Sequence, residues 1–97
     1  MYTVIRNYQG EAPDVVEQLR QRADSVKDLL RGIDGFVAYY LLDTRDGGFT
    51  TISVYEERAG AEESTRAASK WVSENIADWT PNPPMVVQGE VAISTAR

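Results

Sequence analysis

The order of strand-like and helix-like segments constrains the fold more than any other feature of this sequence. Four segments are rich in the β-branched and aromatic residues that favour strands, at residues 2–8, 36–42, 49–55 and 85–93. Helical patterns follow the first and the third of these segments. The predicted order is therefore β-α-β-β-α-β, and the rules for connecting such elements leave few topologies.

The two helical segments each carry one apolar stripe. In the first, apolar side chains recur at steps of three or four residues, the period of one helix face: Val15, Leu19, Ala23, Val26, Leu30 and Ile33. The second runs from about residue 59 to 78, with its stripe at Ala61, Thr65, Ala68, Val72, Ile76 and Trp79. We predict an α+β fold, a ferredoxin-like sandwich whose antiparallel sheet has the order 4-1-3-2 and carries both helices on one face.

Composition limits the possible functions. A chain of 97 residues is one domain, spanning 1–97, because a single core is already marginal at this size. The chain has no Cys and no His, which excludes disulfides, thiolate nucleophiles, Cys/His zinc sites and Ser-His triads. Its net charge of −5 argues against a nucleic-acid partner, which needs a basic surface.

No targeting or membrane segment is visible in the sequence. No stretch approaches the roughly 20 apolar residues that span a bilayer, and residue 1 is followed by a strand pattern rather than by a basic and then an apolar run. We expect a cytoplasmic protein with no membrane partner. The acidic residues Asp43, Asp46, Glu56 and Glu57 lie around a hairpin and a strand end, where solvated charge is expected rather than a metal site.

The apolar pattern of the second strand predicts a partner subunit. Residues 36, 38, 40 and 42 would point to one side of the sheet and residues 37, 39 and 41 to the other, and both sets are apolar or aromatic. Because helices cover only one face, a monomer would expose an apolar patch of the kind that marks an interface. We predict a homodimer in which two sheets pack through their uncovered faces.

The alternation of the first strand also sorts its polar residues. Val4, Arg6 and Tyr8 share one face, and Thr3, Ile5 and Asn7 share the other. Because the first and fourth strands are neighbours in the predicted order, Arg6 is expected to pair with Glu90, either as a buried pair or as a weak rim salt bridge.

Two stretches carry a family resemblance: Gly32-Ile33-Asp34-Gly35-Phe36 leading into the second strand, and Thr51-Ile52-Ser53-Val54-Tyr55 leading to an Ala- and Glu-rich helix. With the element order, they resemble the dimeric α/β-barrel superfamily, in particular its antibiotic-biosynthesis-monooxygenase-like (ABM-like) proteins, over almost the whole chain. The resemblance implies that two subunits join their sheets into a barrel. Members include haem-degrading monooxygenases, cofactor-independent quinone-forming monooxygenases and proteins without known activity.

The resemblance suggests site residues. Haem-degrading members use an Asn on the first strand, a Trp on the second helix and a His. In this sequence Asn7 stands at the matching place, and Trp71 lies on the second helix several residues later than the family pattern would put it. The chain has no His, so imidazole ligation of haem is excluded. Quinone-forming members use Asn, Trp, Tyr and Arg between sheet and helices without a cofactor. The candidate catalytic residues are then Asn7, Trp71 and Arg66, and the candidate pocket residues are Tyr39, Tyr55 and Trp79.

Each of these residues also has a structural explanation. Asn7 near a strand end is typical of a hydrogen bond at a turn, either tryptophan can fill a core, and Arg66 has Glu62 one helical turn back. We therefore predict first a protein that binds a small apolar or aromatic molecule between sheet and helices, with no cofactor. The alternative is a cofactor-independent monooxygenase that oxidises a phenolic or polyketide-like substrate to a quinone.

Overall fold

In the part of the chain that the structure describes, the fold consists of four strands and three helices. The computed structural model describes residues 1–10, 14–45, 47–76, 79–80 and 82–95. The elements, in chain order, are β1 (Tyr2–Gln9), α1 (Val15–Gln21), α2 (Ala23–Arg31), β2 (Phe36–Asp43), β3 (Gly48–Tyr55), α3 (Arg58–Asn75) and β4 (Met85–Glu90). No helix in the described part of the chain is long and apolar enough to cross a membrane.

The sheet has the predicted topology. Its spatial order is β2-β3-β1-β4, and every neighbouring pair is antiparallel. This is the order 4-1-3-2 of a ferredoxin-like sandwich, and the α+β prediction is confirmed. The long central pairing of β1 with β3 runs from Tyr2 opposite Tyr55 to Gln9 opposite Gly48, so alternate residues of the two strands share one face.

The core lies between one face of this sheet and the helices. Tyr2, Val4, Tyr55 and Ala61 form a buried cluster in which Val4 is 2% exposed and Ala61 0%. The Tyr55 hydroxyl donates a hydrogen bond of 3.3 Å to the carbonyl oxygen of Leu30 in α2. The even-numbered residues of β1 therefore face the helices, and the odd-numbered ones face away.

The first helical segment is two helices rather than the one that was predicted. α1 and α2 meet at Arg22, whose φ of −107° and ψ of 21° leave the helical region. The Arg22 side chain donates to the carbonyl oxygen of Gln18 at 3.1 Å, which satisfies an acceptor at the break. No Gly or Pro marks the position, and the apolar period passes through it, so the sequence pattern gave no sign of the interruption.

Two element ends also differ from prediction. α3 ends at Asn75 instead of near residue 78, and Trp79 lies beyond it, with its backbone N–H donating to Ile76 at 3.1 Å. β4 ends at Glu90 instead of continuing to Ile93, which is 88% exposed. Asp46 and Asp78, which the predicted hairpin and helix included, lie outside the described residues.

A β-bulge near the start of β2 changes which side chains share a face. The pairing with β3 shifts between Phe36 and Ala38, so that Phe36 lies opposite Tyr55. The two rings meet edge to face, with centroids 5.8 Å apart, on the helix side of the sheet. Phe36 is thus on the other face from Tyr40 and Leu42, because the extra residue breaks the simple alternation that predicted a shared face.

The expected pair between Arg6 and Glu90 is also absent, because of the register between β1 and β4. Arg6 lies opposite Val86, and Glu90 lies opposite Tyr2, four residues along the strand. The Glu90 carboxylate is instead 3.9 Å from the N-terminal ammonium group of Met1.

Candidate functional site

A pocket of about 520 Å³ lies between the sheet and the helices. Its floor is the helix-facing side of β1, β2 and β3, and its opposite wall comes from α2, α3 and the segment before β4. Alternation along the central strands supplies the floor residues: Arg6, Tyr8, Tyr39, Leu41, Phe49, Thr51 and Ser53. The wall includes Leu29, Leu30, Ala68, Trp71, Val72, Trp79 and Pro84.

Aromatic rings line one side of this pocket. Tyr8 stacks on Phe49 with ring centroids 4.7 Å apart, and Phe49 meets Trp79 at 5.9 Å. A hydrogen bond to α2 fixes the orientation of the Trp71 ring, since its indole N–H donates to the Ser25 hydroxyl at 2.9 Å. A satisfied indole leaves only the apolar faces and edges of this ring for a ligand, as suits a flat aromatic molecule.

Arg6 brings a positive charge to the pocket floor. Its guanidinium group donates to the hydroxyl of Thr65 in α3, and that hydroxyl donates to the carbonyl oxygen of Ala61 at 3.1 Å. This chain of hydrogen bonds holds the arginine against the helix. A guanidinium keeps its charge at all physiological pH values and has further N–H donors available for an anionic or carbonyl oxygen.

Tyr39 places a phenol group near Arg6 and Tyr8. Burial and, to a lesser extent, the negative charge of an ionised Tyr8 raise the pKa of Tyr39 from 10.0 to about 12, and the positive charge of Arg6 opposes this rise. Tyr39 is therefore a neutral hydrogen-bond donor throughout the physiological pH range. Burial also raises the pKa of Tyr55, which belongs to the core.

The raised pKa of Tyr39 makes a prediction about stability. Because the folded protein holds this proton more tightly than the unfolded chain, Tyr39 should contribute stability that is complete below pH 10.0 and is lost as the pH rises towards about 12. Tyr39→Phe should flatten the fall in unfolding free energy over this range. Denaturant titrations of both proteins at several pH values measure this fall in unfolding free energy. An identical fall at alkaline pH in both proteins would contradict the contribution assigned to Tyr39.

Two of the predicted catalytic residues lie away from this pocket. Asn7 points to the uncovered side of the sheet, where its amide donates to Thr50 at 2.8 Å and accepts from Gln9 at 2.8 Å. Arg66 is exposed on α3 and pairs with Glu63 at 2.6 Å, rather than with the expected Glu62. The structure does not bring either residue together with Trp71, and their part in a reaction stays a prediction.

The other predicted residues divide between pocket and core. Trp71, Trp79 and Tyr39 line the pocket, whereas Tyr55 is 1% exposed and packs in the core. Sequence reasoning missed Arg6 as a site residue, although it had placed Arg6 on the opposite face from Asn7. The missing information was which of the two faces the helices cover. No group of three or more His, Cys, Asp or Glu residues within the described ranges is placed to hold a metal ion.

No family model and no curated protein matches this chain in sequence. Solved structures do match its fold. A protein of unknown function from Nitrosomonas europaea superposes with a TM-score of 0.74 at 16% identity, covering 99% of this chain and 93% of that one.

Two further matches hold ligands. A monooxygenase of Streptomyces coelicolor, the product of ActVA-Orf6, was solved with nanaomycin D; its TM-score is 0.67 at 16% identity, over 98% of this chain and 92% of that one. A mutant of MhuD was solved with two manganese protoporphyrin IX molecules in each active site; its TM-score is 0.74 at 14% identity, and the match covers 100% of both chains.

The strand order, the helices on one face and these superpositions define a class, the α+β proteins with a ferredoxin-like sandwich. Within that class the chain has the ABM-like fold, since antibiotic biosynthesis monooxygenases are also among the matching structures. The resemblance drawn from the sequence is thus confirmed at the level of the fold.

Proposed function

We propose that this protein binds a small, flat aromatic molecule in the pocket between sheet and helices. One observation carries the proposal: a single pocket of about 520 Å³ combines five aromatic side chains from different parts of the fold with the guanidinium of Arg6. The volume lies within the range of small-molecule sites, about 300–1,000 Å³. Aromatic walls provide contact area, and one charged group provides orientation.

The polar groups suggest the ligand's chemistry. Arg6 favours an oxygen that carries negative charge or a strong dipole, such as a phenolate or a quinone carbonyl. Tyr39 can donate a second hydrogen bond because its raised pKa keeps the phenol protonated. A phenol or quinone fused to further rings would match both the polar floor and the aromatic side of the pocket.

Arg6→Met tests this proposal, with Arg66→Met as the matched control. The probe is nanaomycin D, the ligand of the Streptomyces coelicolor neighbour, and the signal is quenching of Trp71 and Trp79 fluorescence. Loss of a charge-assisted hydrogen bond should weaken binding about 10- to 100-fold in Arg6→Met, and binding to Arg66→Met should match the unsubstituted protein. No binding by the unsubstituted protein, or equal loss in both variants, would reject the proposal for this ligand class.

A second candidate function is cofactor-independent monooxygenation in the same pocket, favoured by Arg6 beside aromatic walls. The Arg6 charge would stabilise a substrate phenolate, which can give an electron to dioxygen. For an anthrone, the methylene carbon becomes a carbonyl, one oxygen atom of dioxygen enters the product, and the other leaves as water. Oxygen uptake with matching quinone formation from an anthrone would support this function, and binding without oxygen uptake would leave the binding role alone.

We also propose that the protein is a homodimer built through its uncovered sheet face. This face comprises the outward residues of the four strands, among them Ile5, Asn7, Tyr40, Leu42, Ile52, Met85 and Val87. Four large side chains on it are strongly exposed in one subunit: Tyr40 at 58%, Leu42 at 45%, Met85 at 75% and Val87 at 68%. An exposed apolar surface that extends from one sheet edge to the other supports burial against a second copy.

A further inference from the structure

A second cavity, of about 410 Å³, lies between α1, α2 and the edge strand β2. Its interior is apolar, with side chains contributed by both helices and by the strand: Val16, Leu19, Ala23, Val26, Leu30, Phe36 and Leu41. We call it the helical cleft. This cleft adjoins the pocket between sheet and helices, called the aromatic pocket below, because five side chains line both: Leu19, Val26, Leu30, Tyr39 and Leu41.

The helical cleft is bordered by cations. Arg20, Lys27 and Arg31 line it, together with the single acid Asp43. Arg20 already has carboxylate partners, Glu17 at 3.0 Å and Asp43 at 3.8 Å. In the part of the chain that the structure describes, Lys27 and Arg31 have no ion pair.

Lys27 and Arg31 are also neighbours on one helix. They stand four residues apart on α2, so their side chains lie on the same side one turn apart. Two like charges at this spacing repel each other, and an anion between them would remove that repulsion. Their location is notable in a chain whose net charge is −5, because the surface as a whole repels anions.

We propose that the helical cleft is a binding site for an amphipathic organic anion, a carboxylate carried on an unbranched apolar chain. The chain would lie along the apolar interior, and the carboxylate would accept hydrogen bonds from Lys27 and Arg31 at the border. Each cation can reach past the helix surface on its flexible stem. This site goes beyond the aromatic pocket, since its cations and Ala23 do not line that pocket.

The charge requirement is tested with dodecanoate and dodecan-1-ol as paired probes in isothermal titration calorimetry, below the concentration at which dodecanoate forms micelles. Dodecanoate should bind, and dodecan-1-ol should bind at least about tenfold more weakly, because it lacks a charge-assisted hydrogen bond. Equal affinity for the two probes, or no binding of dodecanoate, would overturn the proposal.

The cations are tested with two matched double variants. Lys27→Gln with Arg31→Gln should weaken dodecanoate binding by at least about tenfold. Arg66→Gln with Lys70→Gln removes two cations at the same spacing on α3, outside both cavities, and should leave binding unchanged. Equal weakening by both double variants would mean that only the overall charge matters, and would overturn the site.

The location is tested by filling each cavity separately. Ala23 lines only the helical cleft, and Ala68 lines only the aromatic pocket. Ala23→Leu should abolish dodecanoate binding and leave nanaomycin D binding intact, and Ala68→Leu should do the reverse. Loss of dodecanoate binding in Ala68→Leu alone would place the anion in the aromatic pocket and overturn this proposal, without affecting the proposed function of that pocket.

Discussion

Gly48→Ala should destabilise the fold by about 3 kcal/mol, near the upper end of what overpacking usually costs. A β-carbon at this position would lie 2.0 Å from the carbonyl oxygen of Tyr8 and 3.1 Å from its carbonyl carbon. Both contacts are with the backbone of β1, so no side-chain rotation can relieve them. The end of the β1–β3 pairing would have to separate, where Gln9 lies opposite Gly48.

Gly89→Ala is the matched control, because Gly89 also lies in a strand and a β-carbon there meets nothing within 4 Å in the subunit. Its unfolding free energy should equal or slightly exceed that of the unsubstituted protein, since alanine restricts the unfolded chain. Because Gly89 lies opposite Thr3 on the uncovered face, denaturant titrations compare the three proteins at one fixed concentration at which all of them are monomeric. A loss below about 1 kcal/mol for Gly48→Ala would mean that the two strands separate more easily than their pairing implies.

These close backbone approaches are one part of the fold that the sequence could not predict. The predicted third strand segment begins at residue 49 and leaves out Gly48, and the predicted second helix includes Gly60 without assigning it a contact. In the structure, a β-carbon on Gly60 would lie 2.7 Å from the carbonyl oxygen of Asp34. Residue preferences and periodicity report on local conformation, so they predicted the element order and the sheet topology. They contain no information about which distant backbone segment a glycine will touch.

In the candidate site, too, the sequence predicted the local features and could not predict those that depend on tertiary contacts. Alternation correctly placed Arg6 and Asn7 on opposite faces of β1, because a strand has a period of two. Choosing the helix-covered face required knowing that Tyr2 and Val4 pack on Ala61, which is a tertiary contact. The family resemblance pointed to Asn7, and the geometry points to Arg6. The family resemblance predicted the aromatic residues of the pocket better than the polar ones. Trp71, within α3, and Trp79, after the end of α3, both line the pocket.

Val87→Glu should convert the protein from a dimer to a monomer at concentrations where the unsubstituted protein is dimeric. Val87 is 68% exposed on the uncovered face, on the same side of the sheet as Ile5. In a twofold dimer the substitution enters the interface twice, and each carboxylate would be buried against apolar side chains without a partner. A penalty of about 3 kcal/mol raises the dissociation constant about 100-fold.

Val86→Glu provides the control on the adjacent residue of the same strand. Val86 is 47% exposed, but it lies opposite Arg6 and so faces the helix side of the sheet. Val86→Glu makes the same change in charge and the same loss of β-propensity as Val87→Glu, and it should leave the dimer intact. Sedimentation velocity over a range of concentrations measures both variants. If Val86→Glu dissociated the protein while Val87→Glu did not, the subunits would have to associate through the helix side of β4, and the uncovered face would need another explanation.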